Sequence, residues 1–386
     1  MDFDLSEEQK AIQRLAREFA QKESVPVVDA DEKAHRFQRG LVSRMGELGF
    51  LGCPIPEEYG GSASGFLAHA LVAEEIARVS GSLRAPFNMQ TMGPAMTLLH
   101  FGTEEQKRKY IPKLVRGEIL GAIGITEPDA GSDVGSLSST AIPDGNDFVL
   151  NGTKTWITYA PVADVALVMA YTDPSVRYKG MSALLVDLHT PGISRRETAH
   201  KMGWHACPTG ELIFEDCRVP KSSLIGQMGE GFRIIMTDLN NTRLSASAGA
   251  VGVCQGLLDE SLKYANQRVQ FGQPIGQFQM VQDMIAVMVI ETEAARLFTY
   301  RCASQKDKGN TGNTLETSMA KYYSCEAASR VADLALKVFS AYGYSGEYPV
   351  ERYFRDAKLY QLLEGTSNIH KTIIASDALG YRKANR

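Results

Sequence analysis

A glutamate set among apolar residues is the feature of this chain best suited to chemistry. Glu364 follows Leu362 and Leu363 and precedes Gly365 in the run LLEGTSN. Removing water from a carboxylate strengthens it as a base, so this residue suits the abstraction of a proton near neutral pH. The glycine lets a ligand approach the backbone closely. A glutamate in this setting is also typical of a solvated helix end, so other segments must decide between the two roles.

Five further segments carry residues that suit a nucleotide cofactor or its substrate; they cover residues 123–133, 154–158, 239–243, 268–275 and 339–352. Hydroxyl and backbone donors in the first segment suit the polar edge of a heterocyclic ring. Arg268 suits a diphosphate because its planar guanidinium pairs with two oxygens, and Phe271 offers a stacking face. Taken singly, these segments also fit an acidic turn, a strand with a core tryptophan and a surface loop.

Together the segments resemble the acyl-CoA dehydrogenase family. In that family the glutamate removes the α-proton of an acyl-CoA thioester while the β-hydrogen leaves as hydride to FAD. The resemblance therefore implies that Glu364 is the base. Some branches keep their base in the helix around 239–244, where this chain has Thr242 and no acid. This helix therefore offers no alternative to Glu364 as the base.

The resemblance implies FAD as the cofactor. The implied contacts are Ile125, Thr126, Ser132, Trp156, Thr158, Arg268, Phe271, Gln279, Ala341, Gly343, Thr366 and Asn368. The stretch around Ala341 resembles one that reaches the FAD of a neighbouring subunit, although Lys337 replaces a glutamine and Ser340 and Ala341 replace glycines. The family also implies a homotetramer that passes electrons to an electron-transferring flavoprotein.

The implied substrate contacts are Arg84, Thr91, Ser132, Asn240, Arg243, Leu363 and Gly365. Arg84 matches the arginine that glutaryl-CoA dehydrogenases use for the distal carboxylate, and an arginine buried in an apolar stretch needs an anionic partner. An exposed helix-start residue or a structural ion pair is the alternative. Ala85 and Pro86 add no donor, and Leu363 replaces a tyrosine common before the base, which leaves an apolar wall.

The chain as a whole resembles the anaerobic bacterial branch, with its non-decarboxylating glutaryl-CoA and cyclohexane- or cyclohexene-carboxyl-CoA dehydrogenases. The cyclohexene type takes its base from an aspartate near the position of Thr91, so Glu364 favours ordinary α,β-elimination here. We expect a cyclic or bulky acyl group such as cyclohexanecarboxyl-CoA, with a non-decarboxylating glutaryl-CoA dehydrogenase as the alternative. An acyl-CoA oxidase, a flavin monooxygenase and a non-enzymatic CoA-binding scaffold are further alternatives.

Composition fits a soluble enzyme of two or three domains. The 386 residues are 44% hydrophobic and 22% charged, and the net charge of −4 argues against a nucleic-acid partner. Six scattered cysteines without a CxxC pair predict reduced, buried thiols, and seven unclustered histidines predict no metal site. The acidic start lacks a signal-peptide pattern and no apolar run reaches membrane-spanning length, so we expect a cytoplasmic protein.

Hydrophobic periodicity predicts an α+β protein. Residues 1–118 read as a helical domain, 119–225 as a β domain and 226–386 as a second helical domain. This order matches the acyl-CoA dehydrogenase fold, in which the last domain is a four-helix bundle. Capping boxes are expected at Ser6 and Thr103, and Pro26 is expected to end the first helix. The pair Asn151–Gly152 is expected to form a hairpin turn.

Overall fold

In the computed structural model, which describes residues 4–198 and 200–385, helices precede and follow a sheet, as predicted. The N-terminal helices are α1 (Glu7–Phe19), α2 (Val25–Ala34), α3 (Arg39–Glu47), α4 (Gly65–Ala77), α5 (Gly81–Gln90), α6 (Met96–Phe101) and α7 (Glu104–Val115). Both expected capping boxes are present, at Ser6 with Gln9 and at Thr103 with Gln106. Each satisfies backbone N–H groups that the first helical turn leaves unpaired.

The prediction that Pro26 ends a helix is wrong. A π-helical turn, Ala20–Ser24, joins α1 to α2, and Pro26 lies in the first turn of α2. Proline is tolerated at the first positions of a helix, where its fixed φ already matches the helical value. The chain therefore stays helical from Glu7 to Ala34.

Helix α5 and the π-helical turn after it, Thr91–Ala95, form a fully buried rod. Ser80 caps α5 by accepting a hydrogen bond from the Leu83 N–H at 3.1 Å. A helix buried on every side has no polar face, so its sequence shows no helical period. Pro86 lies inside α5, and a proline at an interior position also argues against a helix in a sequence-based prediction. This rod carries Arg84, one of the implied substrate contacts.

The middle of the chain forms an eight-stranded sheet in the order β6-β7-β3-β2-β4-β5-β8, with β1 parallel to β4. Its strands are β1 (Gly121–Gly124), β2 (Thr140–Asp144), β3 (Asp147–Thr158), β4 (Val165–Tyr171), β5 (Met181–Asp187), β6 (Ile193–Glu197), β7 (Thr209–Pro220) and β8 (Leu224–Ile225). Every residue of β4 is buried, because this central strand is covered on both faces.

No hairpin turn forms at Asn151–Gly152. Both residues lie inside β3, and the turn joins β2 to β3 between Asp144 and Asp147. The pairing of β3 with β7 shifts register between Leu150 and Gly152, which marks a bulge. A Cβ at Gly152 would lie 2.2 Å from the Ser139 hydroxyl, so glycine is required by close packing at the bulge.

The C-terminal helices are α8 (Gly231–Gln267), α9 (Gln279–Asp307), α10 (Thr314–Phe339), α11 (Val350–Tyr360) and α12 (Ser367–Ala378). A short hairpin of β9 (Val269–Gln270) and β10 (Gln273–Pro274) follows α8. Helix α8 packs against α4, α9 and α10, so its middle is buried. All six cysteines are free and buried, which confirms that prediction. Within the described ranges, the helices lack the combination of length and apolar sequence that crossing a membrane requires.

Candidate active site

Glu364 lies in a tight turn between α11 and α12. Its φ of 55° is in the left-handed region, and Gly365 follows with a φ of 93°. A non-glycine residue in this region is strained by about 1–3 kcal/mol and needs support from its surroundings. Arg243 Nε donates to the Glu364 carbonyl at 3.0 Å. Lys321 Nζ donates to the carbonyls of Gly365 and Tyr360, each at 2.8 Å. Two buried cations thus hold the turn that presents the glutamate.

The surroundings of this turn are electrostatically unusual. Burial lowers the pKa of Arg243 and of Lys321. Burial, with added repulsion from Arg243 and Lys321, lowers the pKa of His370 to about 3. The imidazole is therefore neutral at physiological pH, and it lies close enough to Gly365 that a Cβ there would be 3.2 Å from Nε2.

Two neutral donors orient the Glu364 carboxylate. Thr242 Oγ1, on α8, donates to Oε2 at 2.6 Å, and Asn88 Nδ2, on α5, donates to Oε1 at 3.3 Å. We call Asn88, Thr242, Arg243 and Glu364 the Glu364 cluster. Because both donors are neutral, they fix the direction of the carboxylate without adding a positive charge. A half-buried, oriented carboxylate of this kind can accept a proton from a bound ligand.

A second carboxyl group, Asp238, lies one turn before Thr242 on α8. It is 2% exposed and accepts a hydrogen bond from Thr97 Oγ1 at 2.7 Å. Burial raises the pKa of Asp238 to about 8, and the nearby charge of Glu364 adds to the increase. Asp238 is therefore largely protonated at neutral pH and serves as a neutral neighbour of the Glu364 cluster.

Arg84 lies one helical turn before Asn88 on α5. It is 1% exposed, and its Nε and Nη2 atoms are buried without a hydrogen-bond partner among the described residues. Its guanidinium lies over the rings of Tyr360 and Trp204, at 5.5 and 5.9 Å from their centroids. A buried cation that lacks a carboxylate partner is an unfavourable arrangement, so this position is prepared for an anionic group.

The two segments predicted to face a flavin are joined by a buried ion pair. Lys154 Nζ donates to Glu127 Oε1 at 2.6 Å and to the Ile125 carbonyl at 3.3 Å. The backbone N–H of Thr155 donates to the Thr126 carbonyl at 2.9 Å. Next to this junction, Trp156 is 60% exposed, with a φ of 59°. An uncovered tryptophan held by buried contacts suits the planar ring of a flavin.

Other predicted contacts lie around this core. Thr158 ends β3, Ser132 is exposed in the loop after β1, and Asn240 Nδ2 donates to the Thr311 carbonyl at 3.0 Å. Leu363 and Thr366, on either side of Glu364 and Gly365, are half-buried. Thr91 is buried, and its hydroxyl donates to the Leu51 carbonyl at 2.9 Å. Asn88, three residues earlier, instead donates to Glu364.

A third group of predicted contacts lies at the surface, without a hydrogen bond to the Glu364 cluster among the described residues. The Arg268 guanidinium lies 5.3 Å from the Tyr342 ring centroid, and Phe271 is 95% exposed. Gln279, Ala341 and Asn368 are exposed, whereas Gly343 is buried. The FAD contacts of these residues stay predictions, including the contact of the stretch around Ala341 and Gly343 with a neighbouring subunit's cofactor.

Several site residues escaped the sequence reasoning: Asn88, Glu127, Lys154, Trp204, Asp238, Lys321 and Tyr360. Asn88 follows Arg84 by four residues, which places both on one helix face, but α5 itself was not predicted. Lys321 stands among small and buried residues of α10, and a lysine in such a run is a signal that it has a partner.

The three domains of a known family match this chain. The matches are the acyl-CoA dehydrogenase N-terminal domain at residues 6–118, the middle domain at 122–217 and the C-terminal domain at 229–379. The chain belongs to the acyl-CoA dehydrogenase family. It is an oxidoreductase of CH–CH groups in acyl-CoA thioesters, and FAD is its cofactor, as the resemblance implied.

Individual acyl-CoA dehydrogenase relatives are similar over their whole length. The glutaryl-CoA dehydrogenase of Desulfococcus multivorans is 51% identical, covering 100% of both chains. A solved complex of a glutaryl-coenzyme A dehydrogenase with glutaryl-CoA matches with a TM-score of 0.98 and 50% identity, covering 100% of this chain and 98% of that chain. A subunit of the caffeyl-CoA reductase–Etf complex of Acetobacterium woodii is 40% identical, covering 96% of this chain and 98% of its own.

Proposed function

We propose that this acyl-CoA dehydrogenase oxidises glutaryl-CoA, with Glu364 as the base and Arg84 as the partner of the distal carboxylate. The observation that carries the proposal is the buried Arg84, which has no anionic partner among the described residues. The similarity to glutaryl-CoA dehydrogenases supports the same substrate. The apolar Leu363, on which the prediction of a cyclic acyl group rested, does not balance a buried cation.

The spacing on α5 fits a five-carbon dicarboxylic acyl group. Arg84 and Asn88 are four residues apart, which corresponds to about 6 Å along a helix. In an extended glutaryl group, the α-carbon and the distal carboxylate carbon are about 4 Å apart, given C–C bonds of about 1.5 Å. A hydrogen bond of about 2.9 Å covers the rest. With its α-carbon at Glu364 beside Asn88, the glutaryl group therefore reaches Arg84.

The residues of this chain have distinct roles in the proposed reaction. Thr242 and Asn88 aim the Glu364 carboxylate, and one of its oxygens takes the α-proton of the thioester. FAD supplies the acceptor for the β-hydride when it is bound. Thr126, Trp156 and Thr158 would hold its ring, and the uncovered face of Trp156 fits that role. The other predicted FAD and CoA contacts stay predictions.

The substrate proposal is tested by kcat/KM for glutaryl-CoA, pentanoyl-CoA and cyclohexanecarboxyl-CoA. Pentanoyl-CoA is the matched control because it has the same carbon count without the carboxylate. We expect the wild type to prefer glutaryl-CoA. Removing one partner of a buried charge pair costs about 3–5 kcal/mol, so Arg84→Ala should lose at least about 100-fold on glutaryl-CoA. Pentanoyl-CoA oxidation should change by only about a few fold.

Two other results would redirect the proposal. A wild-type preference for cyclohexanecarboxyl-CoA would support the cyclic substrate instead. Equal losses on glutaryl-CoA and pentanoyl-CoA in Arg84→Ala would show that Arg84 has a structural role. Mass spectrometry of the product tests the predicted absence of decarboxylation, because loss of carbon dioxide would yield a four-carbon product.

For the electron acceptor, we propose an electron-transferring flavoprotein, because the Acetobacterium woodii relative belongs to an Etf complex. Purified flavoprotein should be reduced under argon during turnover, whereas rapid peroxide formation in air would support the acyl-CoA oxidase alternative. A homotetramer stays a prediction from the family resemblance, and a cytoplasmic location stays a prediction from the sequence. Light scattering of the FAD-loaded protein tests the tetramer.

A further inference from the structure

The Arg84 guanidinium is held mainly by two aromatic rings. It lies over Tyr360 and Trp204 at 5.5 and 5.9 Å from their centroids. The rings meet edge to face, with centroids 5.4 Å apart and an interplanar angle of 74°. Arg84, Trp204 and Tyr360 are respectively 1%, 4% and 0% exposed. Cation–π attraction is strongest where the groups are desolvated, so these rings determine where the cation lies.

Glycines on two helices make room for this arrangement. A Cβ at Gly249 of α8 would lie 2.6 Å from Arg84 Nε and 2.8 Å from the Tyr360 hydroxyl. A Cβ at Gly81 of α5 would lie 2.7 Å from Trp204 Nε1. Real Cβ atoms do not approach that closely, so any side chain at either position would displace a ring or the guanidinium.

Buried carboxylates anchor the loop that carries Trp204. The Trp204 N–H donates to Asp356 Oδ1 at 2.7 Å, and the His205 N–H donates to Glu32 Oε2 at 2.9 Å. Trp204 has a φ of 51°, which needs such support. Asp356 and Tyr360 are one turn apart on α11. This helix therefore provides the Tyr360 ring and also the carboxylate that anchors Trp204.

We propose that Trp204 and Tyr360 are positioning residues that hold Arg84 ready for a substrate carboxylate and thereby set the preference for a dicarboxylic acyl group. We call these two rings the aromatic bracket. The inference rests on the proposed glutaryl-CoA function. A guanidinium already fixed in place loses little freedom when the carboxylate arrives, so the bracket strengthens recognition of the anion without touching the reacting carbons.

The test is the ratio of kcat/KM for glutaryl-CoA to that for pentanoyl-CoA. Tyr360→Leu and Trp204→Leu remove a ring, and each should lower the ratio about tenfold. Tyr360→Phe is the matched control, because the Tyr360 hydroxyl has no hydrogen-bond partner among the described residues. Phenylalanine keeps the ring, so the ratio should stay within about threefold of the wild type. FAD content and thermal unfolding show whether each variant folds.

The same substitutions are then repeated in an Arg84→Ala background. If the aromatic bracket acts through Arg84, Tyr360→Leu should not change the ratio in the Arg84→Ala background. A double-mutant cycle gives this outcome when two residues are coupled. If the leucine variants fail to retain FAD, Gly249→Ala provides a second route, because the added methyl group displaces Arg84 and Tyr360 from the other side. It should lower the ratio as well.

The outcomes separate the bracket from the proposed function. A wild type without preference for glutaryl-CoA overturns the function and the bracket with it. A wild-type preference that survives Tyr360→Leu and Trp204→Leu overturns the bracket alone. Equal losses on both substrates, or an undiminished effect of Tyr360→Leu in the Arg84→Ala background, also overturn the bracket alone, since either would be a general packing defect.

Discussion

Replacing Lys154 by methionine should separate the two segments that are predicted to face the flavin. Lys154 and Glu127 form an ion pair at 2.6 Å, with side chains 0% and 2% exposed. Glu127 also accepts hydrogen bonds from the backbone N–H groups of Ser138 and Ser139, at 2.6 and 3.1 Å. Methionine keeps the apolar stem of lysine and removes the charge, so Glu127 would be left buried without its cation.

The expected loss follows from the ionisation of the pair. Burial alone would raise the pKa of Glu127, but the charge and hydrogen bond of Lys154 hold it at about 2, below the ordinary 4.5. Each pH unit is worth about 1.4 kcal/mol, so the depressed pKa of Glu127 corresponds to about 3 kcal/mol of stabilisation of its ionised form, which Lys154 shares with the hydrogen bonds from Ser138 and Ser139. Breaking one side of a buried pair typically costs about 3–5 kcal/mol, which agrees. Burial also lowers the pKa of Lys154 to about 8.

The assay is urea unfolding of the FAD-loaded protein, with FAD release as a second readout. Lys154→Met should lower the free energy of unfolding by about 3 kcal/mol at neutral pH and speed FAD release. The double variant Lys154→Met/Glu127→Leu should recover most of the loss, because two apolar side chains can replace a buried pair. A single variant within about 1 kcal/mol of the wild type, or a double variant no better than the single one, would refute the reasoning.

The pH dependence provides an independent check. Because the pKa of Glu127 is depressed in the folded protein, its contribution is complete above the unfolded value near 4.5 and is lost as the pH falls toward about 2. The wild type should therefore lose stability over that range. Lys154→Met should lose less over the same range, since the depression depends on the lysine.

Three further predictions concern the Glu364 turn. Glu364→Gln should keep FAD and glutaryl-CoA binding but slow flavin reduction in stopped-flow experiments by about 10²–10⁴-fold; a rate within about tenfold of the wild type would exclude Glu364 as the base. Lys321→Met should lower kcat by at least about tenfold with FAD retained, because two carbonyls of the turn lose their donor, and an unchanged kcat would contradict this support role. Asp238→Asn should raise the thermal unfolding midpoint near pH 8, by about 1 °C for each kcal/mol gained in a chain of this length, but not near pH 4. The pKa of Asp238 in the folded protein, about 8, lies above the ordinary value of 3.8, so the stability of the wild type falls as the pH rises from about 4 to about 8. Equal unfolding midpoints of wild type and variant near pH 8 would contradict this prediction.

The sequence was sufficient for elements that combine a clear period with terminal signals. The apolar positions between Thr103 and Arg116 predicted a helix, and α7 spans Glu104–Val115. The fully buried α5 was missed because it has no polar face and contains Pro86. Asn151–Gly152 was read as a turn, although the glycine serves a bulge whose cause, the packing of Ser139, lies elsewhere in the chain.

The site likewise contains residues that the sequence predicted and residues that it did not. Glu364 was predicted because its short motif is local in sequence. Its hydrogen-bond donors were not, because Asn88 lies 276 residues and Thr242 lies 122 residues away along the chain. Arg84 was identified from the family resemblance, but its aromatic bracket depends on contacts with Trp204 and Tyr360, which lie on two other segments of the chain. Contacts of this kind arise from the packing of helices and leave no periodic signal.

Helix α11 limits how this enzyme can be re-engineered. Asp356 anchors Trp204, and Tyr360 packs against Arg84. The Tyr360 carbonyl also shares Lys321 with the turn that carries Glu364, the proposed base. Shifting this helix by one residue would alter selectivity and rate together. A laboratory evolution campaign toward uncharged substrates should therefore accumulate successful changes at Arg84, whose side chain lies on another helix, and leave α11 almost untouched.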